Sequence, residues 1–271
     1  AALLCARLRH VVGEERVLRS ATVSFVGPVA VGAARVVVEV LRSGKNVTQA
    51  EARLYQNDEV QAVLLASFGA TRVSQIHVAP RVATPVFRRP EDSASMPFVP
   101  GVMPEFLQQL DMRWAEGAMP FAGAAQPDFG GWMRFRHDIP DFTLTHLFGL
   151  VDAWPPAVLP MFRTPAPASS MCWTLEFLHF PEGKTGEHWW QYQVRTDASG
   201  EGYAHTEAHV AQADALFIQA QRARVEHPAE VDLHLWLQRP CGLQPGLGQQ
   251  RDCQARRLGC HQAECHRRAA R

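Results

Sequence analysis

The chain restates itself. Ala21-Thr22-Val23-Ser24-Phe25-Val26 aligns with Trp173-Thr174-Leu175-Glu176-Phe177-Leu178, 152 residues further on. The valine-rich run Arg35–Arg42 aligns with His188–Arg195, and Glu51-Ala52-Arg53-Leu54-Tyr55-Gln56 with Glu207-Ala208-His209-Val210-Ala211-Gln212, an offset that has grown to 156. Such a sequence must fold as two like halves, and small loop insertions account for the drift. Each half reads as one helix followed by four strands. Val23 and Phe25 alternate with Thr22 and Ser24, and Met171, Trp173, Leu175 and Phe177 alternate with Ser170, Cys172, Thr174 and Glu176. Period-two alternation marks strands with one buried face, so two antiparallel sheets are expected, each packed on its own helix.

The helices follow from spacing. Leu144, Leu147, Phe148 and Val151 stand at i, i+3, i+4 and i+7, with Asp141 as the expected cap and Pro155-Pro156 as the stop. Leu4, Leu8 and Val11 give a similar stripe at the very start, with no cap ahead of it. The expectation is a chain missing its first strand or more. Between the halves, residues 79–127 are rich in proline and read as a connection broken only by a short helix near Glu105–Trp114. The expected organisation is an N-terminal half over 1–78, that linker, a C-terminal half over 128–230, and a tail over 231–271.

Charge sets the tail apart. Lysine plus arginine equals aspartate plus glutamate at 27 each. The zero net charge argues against a nucleic-acid binder. Residues 239–271 carry seven arginines against Asp252 and Glu264, a net of +5, which leaves the body at −5. Four of the six cysteines (241, 253, 260 and 265) also lie there. The spacing contains no C-x2-C knuckle, so a disordered basic extension is expected rather than a zinc site. Two cysteines in the body suit a reducing cytoplasm. No apolar run reaches the ~18 residues of a membrane span.

The repeated segments carry a resemblance. Ser20–Val29, Val38–Gln56 and Leu65-Ala-Ser-Phe-Gly69, with Leu150-Val-Asp-Ala-Trp-Pro-Pro156 and Ser169–Phe177 in the second half, resemble the double-hotdog acyl-CoA thioesterases of the thioesterase II type, within the thioesterase-like superfamily. The resemblance covers roughly residues 1–227. It implies an α+β double hotdog, two antiparallel sheets each wrapped around a central helix. It also implies water-mediated hydrolysis of acyl-CoA or a related acyl thioester, with no cofactor and no metal. A homo-oligomer would be in keeping with such folds.

In that family an aspartate, a hydroxyl residue and a glutamine hold the attacking water. Asp152 matches the aspartate. It continues the Leu144–Phe148 row and sits at a helix C-terminus, where the helix dipole disfavours a carboxylate and so offers it no structural reward. Ser170 stands where the family commonly has threonine, with Ser169 and Thr174 as neighbours. The glutamine position falls on Arg222. Gln221 is one residue away and would need a bulge to reach the same face. The resemblance therefore assigns Asp152, Ser170 and Gln221, and leaves a second reading, an inactive hotdog module that binds acyl groups or a partner subunit.

Other patterns are weaker. Asp141 and His146 have the Asp-x4-His spacing of hotdog hydratases, without the residues usual between them. Gly183-Lys184-Thr185 lacks the upstream glycine of a phosphate loop, and no Gly-x-Ser-x-Gly occurs. The aromatic residues Trp132, Phe135, Trp154, Trp173, Trp189 and Trp190 could line an acyl pocket, though such spacings are more often core.

Overall fold

The structure is a computed structural model. It describes residues 1–226 except 80, 102, 167, 178–185 and 213–214, and of residues 215–226 it describes the backbone alone. The tail over 231–271, with its cysteines and histidines, and the Gly183-Lys184-Thr185 run lie outside the described residues.

The first half is helix α1 (Ala2–Val12) followed by β1 (Val17–Phe25), β2 (Arg35–Ser43), β3 (Val47–Gln56) and β4 (Glu59–Gly69). Its sheet order is β2-β3-β4-β1. Short strands β5 (Ala94–Ser95), β6 (Leu110–Glu116) and β7 (Phe129–Phe135) come next. Then helix α2 (Leu144–Asp152) leads into β8 (Ala168–Phe177), β9 (Trp190–Gly200), β10 (Tyr203–Gln212) and β11 (Ala215–Glu226). These last four order themselves as β9-β10-β11-β8, the arrangement of the first half. The two sheets join edge to edge where β1 pairs with β8, and β7, β6 and β5 extend the far side beyond β9. This is the double hotdog expected.

The join shows the duplication in three dimensions. Thr22 and Thr174, aligned in the sequence, are direct partners across it, and their hydroxyl oxygens lie 3.2 Å apart. Ser20 pairs with Glu176 and Ser24 with Cys172, so the halves are related by a pseudo-twofold axis through the two threonines. The bulges repeat as well. Arg19 and Met171 are skipped where β1 meets β4 and β8 meets β11; Leu41 and Asp197 where β2 meets β3 and β9 meets β10; Gln61 and Phe217 where β3 meets β4 and β10 meets β11.

This register corrects one alignment. Val38 pairs with Ala52 and Val194 with Ala208, so Arg35–Arg42 corresponds to residues 191–198, not to His188–Arg195. The offset steps from 152 to 156 wholly within the connection between the first and second strands of the repeat.

Both helices lie on the apolar face. Leu4, Cys5 and Leu8 of α1 are buried, while Val11, expected in the stripe, is 46% exposed. Ala50 and Ala52 on β3 and Ala62 and Ala66 on β4 are also buried, and these small side chains let the helix approach the strands closely. Gly13 ends α1 at φ 87°, a conformation that costs any other residue. In the second half Leu147, Phe148, Leu150 and Val151 are fully buried.

Two expected features change. The helix near Glu105–Trp114 is a 3-10 turn over Glu105–Gln109 followed by strand β6. Leu110, Met112 and Trp114 are buried at a period of two, which a strand satisfies and a helix does not. Asp111 between them is buried and salt-bridged to Arg113 at 2.8 Å and Arg134 at 3.4 Å. The cap of α2 is Thr143, not Asp141, which is exposed. The Thr143 backbone N–H donates to His146 Nδ1 at 3.0 Å, so the imidazole takes the part that glutamate or glutamine plays in a capping box.

Candidate active site

Asp152 is the last residue of α2. Its side chain is 33% exposed, with Oδ2 3.9 Å from the backbone nitrogen of Ala1. That contact fixes its place. A loop of only four residues, 13–16, joins α1 to β1, and α1 turns back over the sheet against β3, β2 and β4, so that its start lies toward the Phe25 end of β1. The same end of β1 pairs with the start of β8, where Ser24 faces Cys172. Asp152 and Ser170 therefore lie toward the same end of the central join. Among the described residues no hydrogen bond links them.

Ser170 reaches the site face because of a bulge. Strict alternation would put it opposite Trp173, on the outer side of β8. The pairing with β11 runs Trp173–Arg222, Cys172–Ala223 and then Ser170–Arg224, passing over Met171. The extra residue shifts the parity, so Ser170 shares the face of Trp173. Burial agrees, since Met171 is 44% exposed and Ser170 is half-buried. The sequence expectation that Ser170 opposes Trp173 is thus corrected, in the direction that favours a role for the hydroxyl. The counterpart of Ser170 in the first half is Leu18, turned inward by the matching bulge at Arg19 and only 1% exposed. The first half offers an apolar side chain where the second offers a hydroxyl.

The Gln221 side chain lies outside the described residues; its backbone register does not. Gln221 pairs with Thr174 and Glu207, and Arg222 with Trp173 and Thr206. No register shift falls between 219 and 223 against β8. Position 222 belongs to the row of Trp173 and Thr206, both buried, and position 221 to a half-buried row.

The residues around the site are aromatic. Phe148, one turn before Asp152, packs on Trp173 with ring centroids 5.6 Å apart, and Trp173 stacks on Phe25 at 6.1 Å. Trp154, just past Asp152, stacks on Tyr192 at 4.9 Å and 6°. Trp132, Phe135 and Trp189 are only half-buried. The loop that leaves Asp152 is braced by residues 121–124, whose backbone N–H groups donate to the carbonyls of Leu159, Pro160 and Phe162 at 2.8–2.9 Å.

The remaining titratable candidates are structural. His146 is stacked on Phe142 at 5.6 Å and edge-on to Phe135, and burial holds its pKa below the ordinary histidine value. Its Nδ1 is committed to the helix cap. Burial also lowers the pKa of His209, partly offset by Glu207. Cys5, buried between the helices beside Thr145, is pushed up to about 11 by desolvation. Among the described residues no group of three His, Cys, Asp or Glu is placed to share a metal, and no helix is long and apolar enough to cross a membrane. The bulge at Met171 and the Thr143–His146 cap were not anticipated, and neither carries a local sequence signal.

Comparison with known proteins adds to this geometry. The acyl-CoA thioesterase N-terminal domain family matches residues 1–69, and the acyl-CoA thioesterase C-terminal domain family matches residues 90–222. No curated protein matches the chain. Among solved structures, a hot dog fold protein from Alicyclobacillus acidocaldarius superposes with a TM-score of 0.72 at 21% identity, covering 85% of this chain and 86% of that one. An acyl-CoA thioesterase II from Mycobacterium marinum gives 0.64 at 19%, covering 84% and 87%. A TesB protein from Mycobacterium avium subs paratuberculosis gives 0.67 at 15%, covering 84% and 85%. At these identities the structures speak to the fold.

Proposed function

The chain belongs to the acyl-CoA thioesterase family, and we propose that it hydrolyses an acyl-CoA or related acyl thioester with water activated at Asp152. The observation that carries this reading is the bulge at Met171, which turns Ser170 onto the helix-facing side of β8 at the end of the molecule where Asp152 lies. The Asp152 carboxylate accepts a proton from water as the oxygen attacks the thioester carbonyl. The Ser170 hydroxyl orients that water. A third group on β11, either the Gln221 amide or the Arg222 guanidinium, meets the developing oxyanion. Collapse of the tetrahedral intermediate breaks the C–S bond, and the departing thiolate takes the proton back from Asp152. The products are a carboxylic acid and a free thiol. In this reading residues 1–78 and 128–230 are the two halves, and the second carries the chemistry.

The register at β11 favours one alternative, an inactive hotdog module that binds acyl groups or a partner subunit. The backbone register puts position 222, an arginine, in the row of Trp173, and Gln221 one residue off it. Release of free thiol from a panel of acyl-CoAs separates the readings. Asp152→Asn is expected to lower turnover by about 100-fold or more, and Ser170→Ala by less. Undiminished turnover in folded Asp152→Asn would overturn the assignment. Binding without turnover in the parent protein would establish the module instead. The half-buried Cys172 and buried Cys5, both free thiols, suit a reducing compartment.

A further inference from the structure

Resting on the thioesterase reading above, we infer that the acyl pocket is shallow, that Trp173 closes it, and that the substrates are thioesters of short acyl groups. On that reading an acyl chain extends inward from Asp152 and Ser170, between α2 and the sheet. One helical turn behind Asp152 stands Phe148, with no exposed surface. The next inward-facing residue on β8 after Ser170 is Trp173, 1% exposed. The two rings meet at 5.6 Å, Phe148 also packs on Phe177 at 5.6 Å, and Trp173 stacks on Phe25 at 6.1 Å and 22°. The other flank is closed in the same way. Trp154 lies against Tyr192 at 4.9 Å, Trp114 at 5.3 Å and Phe129 at 5.8 Å.

An alkyl chain extending from the reacting carbonyl therefore meets ring faces after about one helical turn, ~5 Å, which is room for about four carbons. Beyond that length each methylene must displace a close-packed ring instead of filling space. Trp173 is the gate because it stands nearest Ser170 along β8 and because its partner Phe25 is only half-buried, which gives the ring somewhere to retreat. Phe148 is enclosed by core on every side and has no such freedom.

The test is the chain-length profile of kcat/KM over acetyl-, butyryl-, hexanoyl-, octanoyl- and dodecanoyl-CoA. It is measured for the parent protein, Trp173→Ala and Phe25→Ala, with folding checked by circular dichroism. Phe25→Ala covers the case in which loss of the buried tryptophan prevents folding. The parent is expected to favour acetyl to butyryl groups and to lose about tenfold or more per methylene past the pocket. Both variants should move the optimum to longer chains. A parent that prefers octanoyl or dodecanoyl groups, or folded variants with the parent's profile, would overturn the gate while leaving the hydrolase reading intact. If no thioester turns over, the hydrolase reading fails. Binding of non-hydrolysable thioether analogues then decides the pocket: tighter binding of short chains supports it and tighter binding of long ones overturns it.

Discussion

Replacing His146 with glutamine separates two jobs that one ring performs. The Thr143 N–H donates to Nδ1 at 3.0 Å, so Nδ1 must carry a lone pair and the ring proton must sit on Nε2. Protonating Nδ1 turns the acceptor into a donor and breaks the cap, and burial disfavours the cation as well. The folded-state pKa is therefore depressed, and the direction of the linkage follows. The unfolded chain takes up the proton first as pH falls below ~6.5. Stability from this histidine is full above that value and is lost as pH falls through the lower, folded pKa. The ceiling is ~1.4 kcal/mol per pH unit for one proton, and a half-exposed ring realises only part of it. Glutamine keeps an acceptor at the third helical position and does not titrate. Urea melts of His146→Gln at about pH 7.5 should fall within ~0.5 kcal/mol of the parent, whereas His146→Ala should lose ~1 kcal/mol, the usual worth of a cap. Between about pH 7.5 and pH 5.5 the parent should lose stability faster than His146→Gln, by a few tenths to ~1 kcal/mol. His209, also depressed by burial, contributes to the slope that remains in the variant. Equal pH slopes in the two proteins would refute the assignment of Nδ1 as the cap acceptor. Loss of thioester turnover in a folded His146→Gln would show that the ring does more than cap the helix.

Two further outcomes follow from packing. A Cβ on Gly131 would overlap the Arg113 carbonyl oxygen and stand 3.0 Å from Trp154, so Gly131→Ala should cost ~1–3 kcal/mol, read as a lowered denaturation midpoint. Cys5, 2% exposed and with its thiol pushed up to about 11, should resist thiol reagents in the native protein. Native parent and native Cys5→Ser should then take up the same number of reagent equivalents, and the denatured proteins should differ by one.

The fold was legible because its signals are long. Two matched series of alternating strands, each behind an apolar helix stripe, leave few alternatives, and Leu147, Phe148 and Val151 are as buried as their spacing implies. What was not legible is set by single residues whose conformation depends on neighbours distant in sequence. Asp141 and Thr143 are both good caps, and the choice turns on the aromatic wall that holds His146 in place. Leu110–Trp114 alternates apolar and charged residues, a strand pattern that was subsumed in the helix expected over Glu105–Trp114, and its pairing with β7, whose Arg134 satisfies Asp111, lies more than twenty residues further on. In the candidate site, Asp152 was singled out as a carboxylate with no structural reward at a helix end. The orientation of Ser170 was not legible, because a bulge is a matter of pairing with β11, some fifty residues later in the chain.

The bulges give both halves of a symmetric scaffold the same backbone and leave the candidate site to the side chains. All three recur at equivalent positions, so they belong to the sheet and not to the site. A sheet that wraps a helix must coil, and bulges supply the local twist. The bulges at Arg19 and Met171 have a by-product: each turns the residue before it inward at a strand entry beside a helix end. In the first half that residue is Leu18, 1% exposed and one more apolar group in the core. In the second it is Ser170, at the end of the molecule where Asp152 projects from its helix. The backbone presents the same opening twice, and the difference between core and candidate site comes down to the side chains placed there. An inward-facing hydroxyl where the fold would accept leucine forgoes apolar burial and must find a hydrogen-bond partner. A thioester and its attacking water would provide one.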